Sequence, residues 1–161
     1  MWLFVAWLWG DWRNWQRYQA TILYIILCDL LYNVLTYNHP MWEYSSGLFP
    51  NHVTANLEVQ FLVYPPAALV YLTRFPQQVS NQVLWVMLWI AIENTVEAVE
   101  KWMGIIHYHN GWNFWWSFLF SVGIFTMLRL HFKKPLWAYG LSVILVIILM
   151  SIFHVPISQM K

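Results

Sequence analysis

A chain of 161 residues that is 60% hydrophobic, 20% aromatic and only 9% charged is built for lipid, because soluble domains carry about 25% charged residues. The net charge of +1 comes without a basic or acidic run, so nucleic acid is not an expected partner. One cysteine, Cys28, excludes an intrachain disulfide and a CxxC zinc or redox motif.

Met1–Trp9 is apolar but lacks a leading basic region and a small-residue cleavage site, so it is not expected to be cleaved. No lipidation motif is visible. As a helix, Met1–Gly10 covers only about 15 Å, which leaves its crossing open. Five later segments reach the roughly 20 residues that a 30 Å hydrocarbon core requires. They run over Ala20–Asn38, Thr54–Thr73, Gln82–Lys101, Asn113–His131 and Leu136–Phe153. The expected fold is all-α, a polytopic transmembrane helical bundle of five to six helices forming a single domain over residues 1–161. Cys28 falls in the first of these apolar runs and reads as a small buried hydrophobe. Tyr64-Pro65-Pro66 falls midway along the second run. Two prolines remove two backbone donors, so a kink is expected there, as a structural bend or as a hinge.

Basic residues set the expected orientation. Arg13, Arg17, Arg74, Arg129, Lys133 and Lys134 fall on one side, against Lys101 and Lys161 on the other. The first side is therefore expected to be cytoplasmic, with the loops 38–53 and 102–112 outside. Arg129, Lys133 and Lys134 are expected to reach anionic lipid headgroups. The tryptophans suit interfacial belts: Trp9, Trp12, Trp15, Trp85 and Trp137 near the inner ends, and Trp42, Trp102, Trp112, Trp115 and Trp116 near the outer ends.

The chemistry-bearing residues lie in the outer half. Asp29, Asn33 and Thr36 are spaced i, i+4, i+7, and Glu93, Glu97 and Glu100 repeat that spacing, so each set shares one helical face. Glu58 lies about one turn below the outer end of its helix, flanked by Asn56 and Gln60. A carboxylate in mid-bilayer costs about 2.5–3.5 kcal/mol on insertion scales and usually faces a bundle interior. Asp29, Asn33, Glu58, Glu93 and Glu97 are thus the candidate ligand-binding residues, and Asp29, Glu58 and Glu97 are expected to converge on one site. His39, His107 and His109 lie toward the same side, and His107 and His109, two apart, would project together from an extended loop. These three are candidate ligands for a divalent metal ion. His52 belongs to the same outer set. Against these readings, a loop histidine is commonly a hydrogen-bonding anchor, and buried acids also hold helices together by hydrogen bonds.

No GxSxG, HExxH or phosphate-binding glycine loop is present, and no catalytic residue is named. Ser45-Ser46-Gly47 reads as a turn. At Gly10-Asp11-Trp12-Arg13-Asn14-Trp15-Gln16, Leu35-Thr36-Tyr37-Asn38-His39-Pro40, Pro50-Asn51-His52 and Tyr108-His109-Asn110-Gly111-Trp112-Asn113 the chain resembles a family of small multi-pass membrane proteins of endospore-forming Firmicutes. The likeness runs over nearly the whole chain and implies a bacterial cytoplasmic membrane. It carries no assigned activity, ligand or catalytic residue, and the short Met1–Gly10 departs from the family's longer first apolar segment. The leading functional expectation is an outward-open acidic pocket for a cation, proton or small polar ligand, in a transport role. An intramembrane metalloenzyme is one rival. The other is a structural or partner-binding membrane protein without a ligand, paired with a second copy or another membrane protein.

Overall fold

The computed structural model describes residues 2–45 and 56–156. The expectations at Ser46-Gly47, Pro50-Asn51-His52, Thr54 and Lys161 lie outside these residues. The described chain is mostly helical: α1 (Trp2–Trp9), α2 (Gln16–Leu35), α3 (Tyr64–Thr73), α4 (Val79–Trp102), α5 (Phe114–Lys133) and α6 (Pro135–Ile152). Of these, α2, α4 and α6 are long and apolar enough to cross a membrane. Two three-residue strands, β1 (Trp42–Tyr44) and β2 (Ile106–Tyr108), pair antiparallel with Glu43 opposite His107.

Helix α3 is the centre of the bundle. Its Ala68, Leu69, Val70, Tyr71 and Leu72 are all buried, the mark of a helix enclosed on every side. It packs on α1, α2 and α5. The Tyr71 ring meets Phe75, Trp89 and Phe125 at centroid distances of 5.2–5.7 Å. Its hydroxyl donates to the Phe125 carbonyl at 2.8 Å, so a polar tip is satisfied inside an apolar core.

The double proline widens the helix rather than ending it. Residues 56–73 run helical without a break, and Val59–Val63 form a π turn in which the Tyr64 amide donates to the Val59 carbonyl. The wider turn accommodates the missing proline donors, and π turns of this kind often mark functional sites. Gln60, inside it, is fully buried, at 1% exposure.

The helix ends follow local chemistry. Helix α1, at about 12 Å, is too short to cross a bilayer. The Gly10 amide closes it on the Ala6 carbonyl, where a Cβ would lie 2.5 Å from that oxygen and 2.9 Å from Leu69 Cδ2. Trp12 Nε1 also donates to the Ala6 carbonyl and Arg74 Nε donates to that of Trp9, covering carbonyls that a helix end leaves unpaired. At α4, Gly104 takes φ +73° while the Ile105 amide reaches back to Glu100 and that of Gly104 to Lys101. This is a Schellman closure, and it turns the chain directly into β2. Asn113 caps α5 by accepting from the amides of Trp115 and Trp116.

Candidate functional site

Asp29 is held in a polar knot between α2 and the helical stretch 56–73. Its Oδ2 accepts from Gln60 Nε2 and, at 3.2 Å, from Asn33 Nδ2, while Oδ1 accepts from the Tyr64 hydroxyl at 3.2 Å. Asn33 Oδ1 in turn accepts from Asn56 Nδ2. All three partners of Asp29 donate, which is the set an ionised carboxylate takes. Asp29 and Asn33 were paired by their i, i+4 spacing. The Tyr64 and Gln60 contributions depend on the π turn.

Glu93 and Glu97 occupy a separate, smaller site between α4, α5 and the β1–β2 pair. They line a cavity of about 50 Å³ together with Tyr44, Ile106, Ser117 and Ser121. Glu97 Oε1 accepts from the Tyr108 hydroxyl. Glu93 Oε2 is buried with no hydrogen-bond partner, as is the neighbouring Asn94 Oδ1. Asn94 Nδ2 donates to Ser121 Oγ at 3.2 Å, and Trp112 Nε1 donates to Ser117 Oγ at 2.9 Å, so the serines on α5 are tied to the wall. Burial, then the hydrogen bond to Glu97, pushes the Tyr108 hydroxyl up to about 12. Burial, reinforced by the carboxylates of Glu100, Asp29, Glu93 and Glu97, pushes Tyr44 well above the usual tyrosine range. Both phenols are therefore neutral at physiological pH, and that of Tyr108 donates to Glu97. Lys101 Nζ lies 3.7 Å from the centroid of the Tyr108 ring, which puts one cation beside this end of the site.

A larger cavity of about 330 Å³ adjoins the first, between α2, α5 and α6. Trp42, Tyr64, Phe120 and Ile124 line both, so these four side chains are the common wall. At the end nearest the β1–β2 pair, Trp42 stacks on Tyr32 at 4.0 Å, and Met41, Trp112, Phe153 and Val155 form a buried cluster. Trp112, expected in an interfacial belt, is thus only 6% exposed. Trp102, Trp115 and Trp137 are exposed.

The three helices do not pool all their acids. Glu58 is exposed and lines neither cavity, because the helical turn that buries Asn56 and Gln60 carries residue 58 to the opposite face. Nor do His39, His107 and His109 assemble a metal site. Among the described residues no group of three or more His, Cys, Asp or Glu could hold a metal ion. His109 Nε2 lies 3.2 Å from Glu43 Oε2, His107 is exposed, and the His39 amide closes the turn after α2 on the Thr36 carbonyl. The Arg129 guanidinium lies 4.0 Å over the Phe75 ring, while Lys133 and Lys134 are exposed.

One buried polar group had no sequence signal. His131, in the last turn of α5, is 3% exposed. Its Nδ1 is 3.0 Å from Thr21 Oγ1, its ring stacks on Tyr24 at 4.2 Å, and Tyr24 pairs with Ser142 Oγ at 2.6 Å. Thr21 and Tyr24 come from α2, more than a hundred residues away in sequence, and Ser142 from the following helix α6.

No protein-family model, curated protein or solved structure matches this chain.

Proposed function

We propose that the chain is a multi-pass protein of a bacterial cytoplasmic membrane that holds a small cation or a proton between Glu93 and Glu97, in a pocket reached from the outer face. In this reading α2, residues 56–73, α4, α5 and α6 all cross the bilayer. The outward surfaces support it: Leu136, Val143, Ile144 and Ile147 on α6 are each more than half exposed, and a continuous apolar face of that kind belongs in lipid. Lys133 and Lys134, with Arg129 behind them, meet anionic headgroups on the inner side. The bacterial setting rests on the resemblance to the Firmicutes family.

The observation that carries the site is Glu93 Oε2, a buried acceptor without a donor on the wall of a polar cavity shared with Glu97. A carboxyl oxygen in that position is answered by a proton or a cation. Size then narrows the ligand. A water needs about 10–15 Å³ of such space, so about 50 Å³ takes one ion with part of its shell and excludes a sugar or an amino acid. In a transport role the ion would leave inward past Tyr64, which borders this cavity and donates to Asp29.

Purified protein titrated with lithium, sodium, potassium or calcium chloride, at ionic strength held constant with choline chloride, should be stabilised by one of them. At about 100 times its Kd an ion adds about 2.7 kcal/mol, a Tm rise of several degrees. Glu93→Gln should abolish that rise while leaving the fold intact. If no cation moves Tm and the protein neither takes up nor releases protons near neutral pH, the acids are helix contacts only.

Orientation has its own check. In a Cys28→Ser background, Lys134→Cys is expected to react with an impermeant maleimide only from the cytoplasm and Ser45→Cys only from outside. The reverse pattern would turn the pocket inward.

A further inference from the structure

The cavity between α2, α5 and α6 has a different chemistry from the acidic one. Its walls are nearly all apolar, including Ile25, Leu35, Met127 and Leu149. Into one end projects Asp29, beside Tyr32, Trp42 and Tyr64. Among the described residues that line it there is one carboxylate and no Lys, Arg or His. Leu145, Ile148 and Ile152 line the cavity and are exposed at the same time, so it opens on the outside of the bundle beside α6. The opening is bridged at both ends. Tyr24 reaches Ser142 and Tyr139 at the inner end, and Met41 packs with Phe153 and Val155 at the outer end.

We propose that this cleft binds a lipophilic monocation, with its charged head at Asp29 and its apolar body entering sideways from the bilayer. Charge complementarity selects the occupant. A neutral acyl chain would leave the carboxylate facing hydrocarbon, and an anion would be repelled, whereas a cationic head offsets the buried charge. The aromatic rings beside Asp29 add their negative faces. The three donors to Asp29 hold its carboxyl group in place without supplying a counter-ion. A volume of about 330 Å³ lies in the range of small-molecule sites, about 300–1,000 Å³.

Gly123 strengthens the case independently. It lies within α5 on the cavity wall, and a Cβ there would meet nothing within 4 Å. Glycine inside a helix costs about 0.5–1 kcal/mol relative to alanine, and no neighbour demands it here. What it preserves is space.

The test is equilibrium dialysis of radiolabelled tetraphenylphosphonium against the purified protein in a neutral detergent. Saturable binding is expected, and none by radiolabelled tetraphenylborate, a near-isosteric anion dialysed separately because the two ions pair and precipitate together. Asp29→Asn should weaken it by at least about tenfold. Gly123→Leu should block it, with Tm unchanged or raised and the stabilisation by small cations at Glu93 retained. That last readout separates the two sites, so either reading fails without the other. The proposal is overturned by absence of saturable binding, by equal saturable binding of tetraphenylborate or displacement by decanol, which would make the cleft a lipid-chain site, or by unchanged binding in Gly123→Leu. Gly123→Leu decides the matter even where Asp29→Asn does not fold.

Discussion

Tyr71→Ala should cost about 3–5 kcal/mol, the usual range for removing a large buried aromatic side chain. That is a large share of the 5–15 kcal/mol typical of a folded domain, so the variant is expected to express poorly. Tyr71 is 0% exposed and joins three helices at once. Its ring contacts Trp89 on α4 and Phe125 on α5, and its carbonyl accepts from Trp85 Nε1 at 3.1 Å. Tyr71→Phe keeps the ring and loses only the hydroxyl bond to the Phe125 carbonyl, so about 1 kcal/mol is expected. Thermal unfolding of both variants in detergent checks the ratio. An alanine cost below about 1.5 kcal/mol would mean that α3 is not the packing centre.

Asp29→Ala is expected to be the second most damaging single change. It strands Gln60 Nε2 and the Tyr64 hydroxyl and removes one of two bonds from Asn33 Nδ2, which keeps the residue-29 carbonyl at 2.8 Å. Hydrogen bonds between membrane helices are worth about 0.6–2 kcal/mol each, so the two interhelical bonds lost sum to roughly 1–4 kcal/mol. Asp29→Asn keeps one acceptor oxygen for Gln60 and gains a donor that the Tyr64 oxygen accepts, which should hold the loss near 1 kcal/mol. A stabilising Asp29→Ala would reverse the interpretation: the cost of desolvating the carboxylate would then exceed its bonds, and the residue would be retained for binding alone.

Much of the architecture was legible from residue type. The apolar runs found α2, α4, α5 and α6 to within a few residues because a bilayer-length helix needs a long, nearly uncharged stretch, and such a stretch is visible without knowing its neighbours. The i, i+4 spacing paired Asp29 with Asn33 and put Glu93 and Glu97 on one face, because helical periodicity is a local property. The same periodicity could not say which face turns inward. Glu58 and Gln60 are two residues apart, yet one is exposed and the other buried, and the difference lies in how residues 56–73 pack against α2.

The remaining contacts depended on tertiary structure. Strands of three residues are too short to show alternation, so the pairing that brings Tyr108 to Glu97 had no signature. Tyr64 reads as helix filler until the π turn aims it at Asp29. His131 reads as a helix end until α2 and α6 close around it. Sequence alone determined where this chain is apolar and where its acids lie along each helix, because both follow from composition and a fixed helical repeat. Only the packing of distant segments decided that Asp29 and the Glu93–Glu97 pair face separate cavities, with Tyr64 and Trp42 in the wall between them, and that Glu58 faces neither.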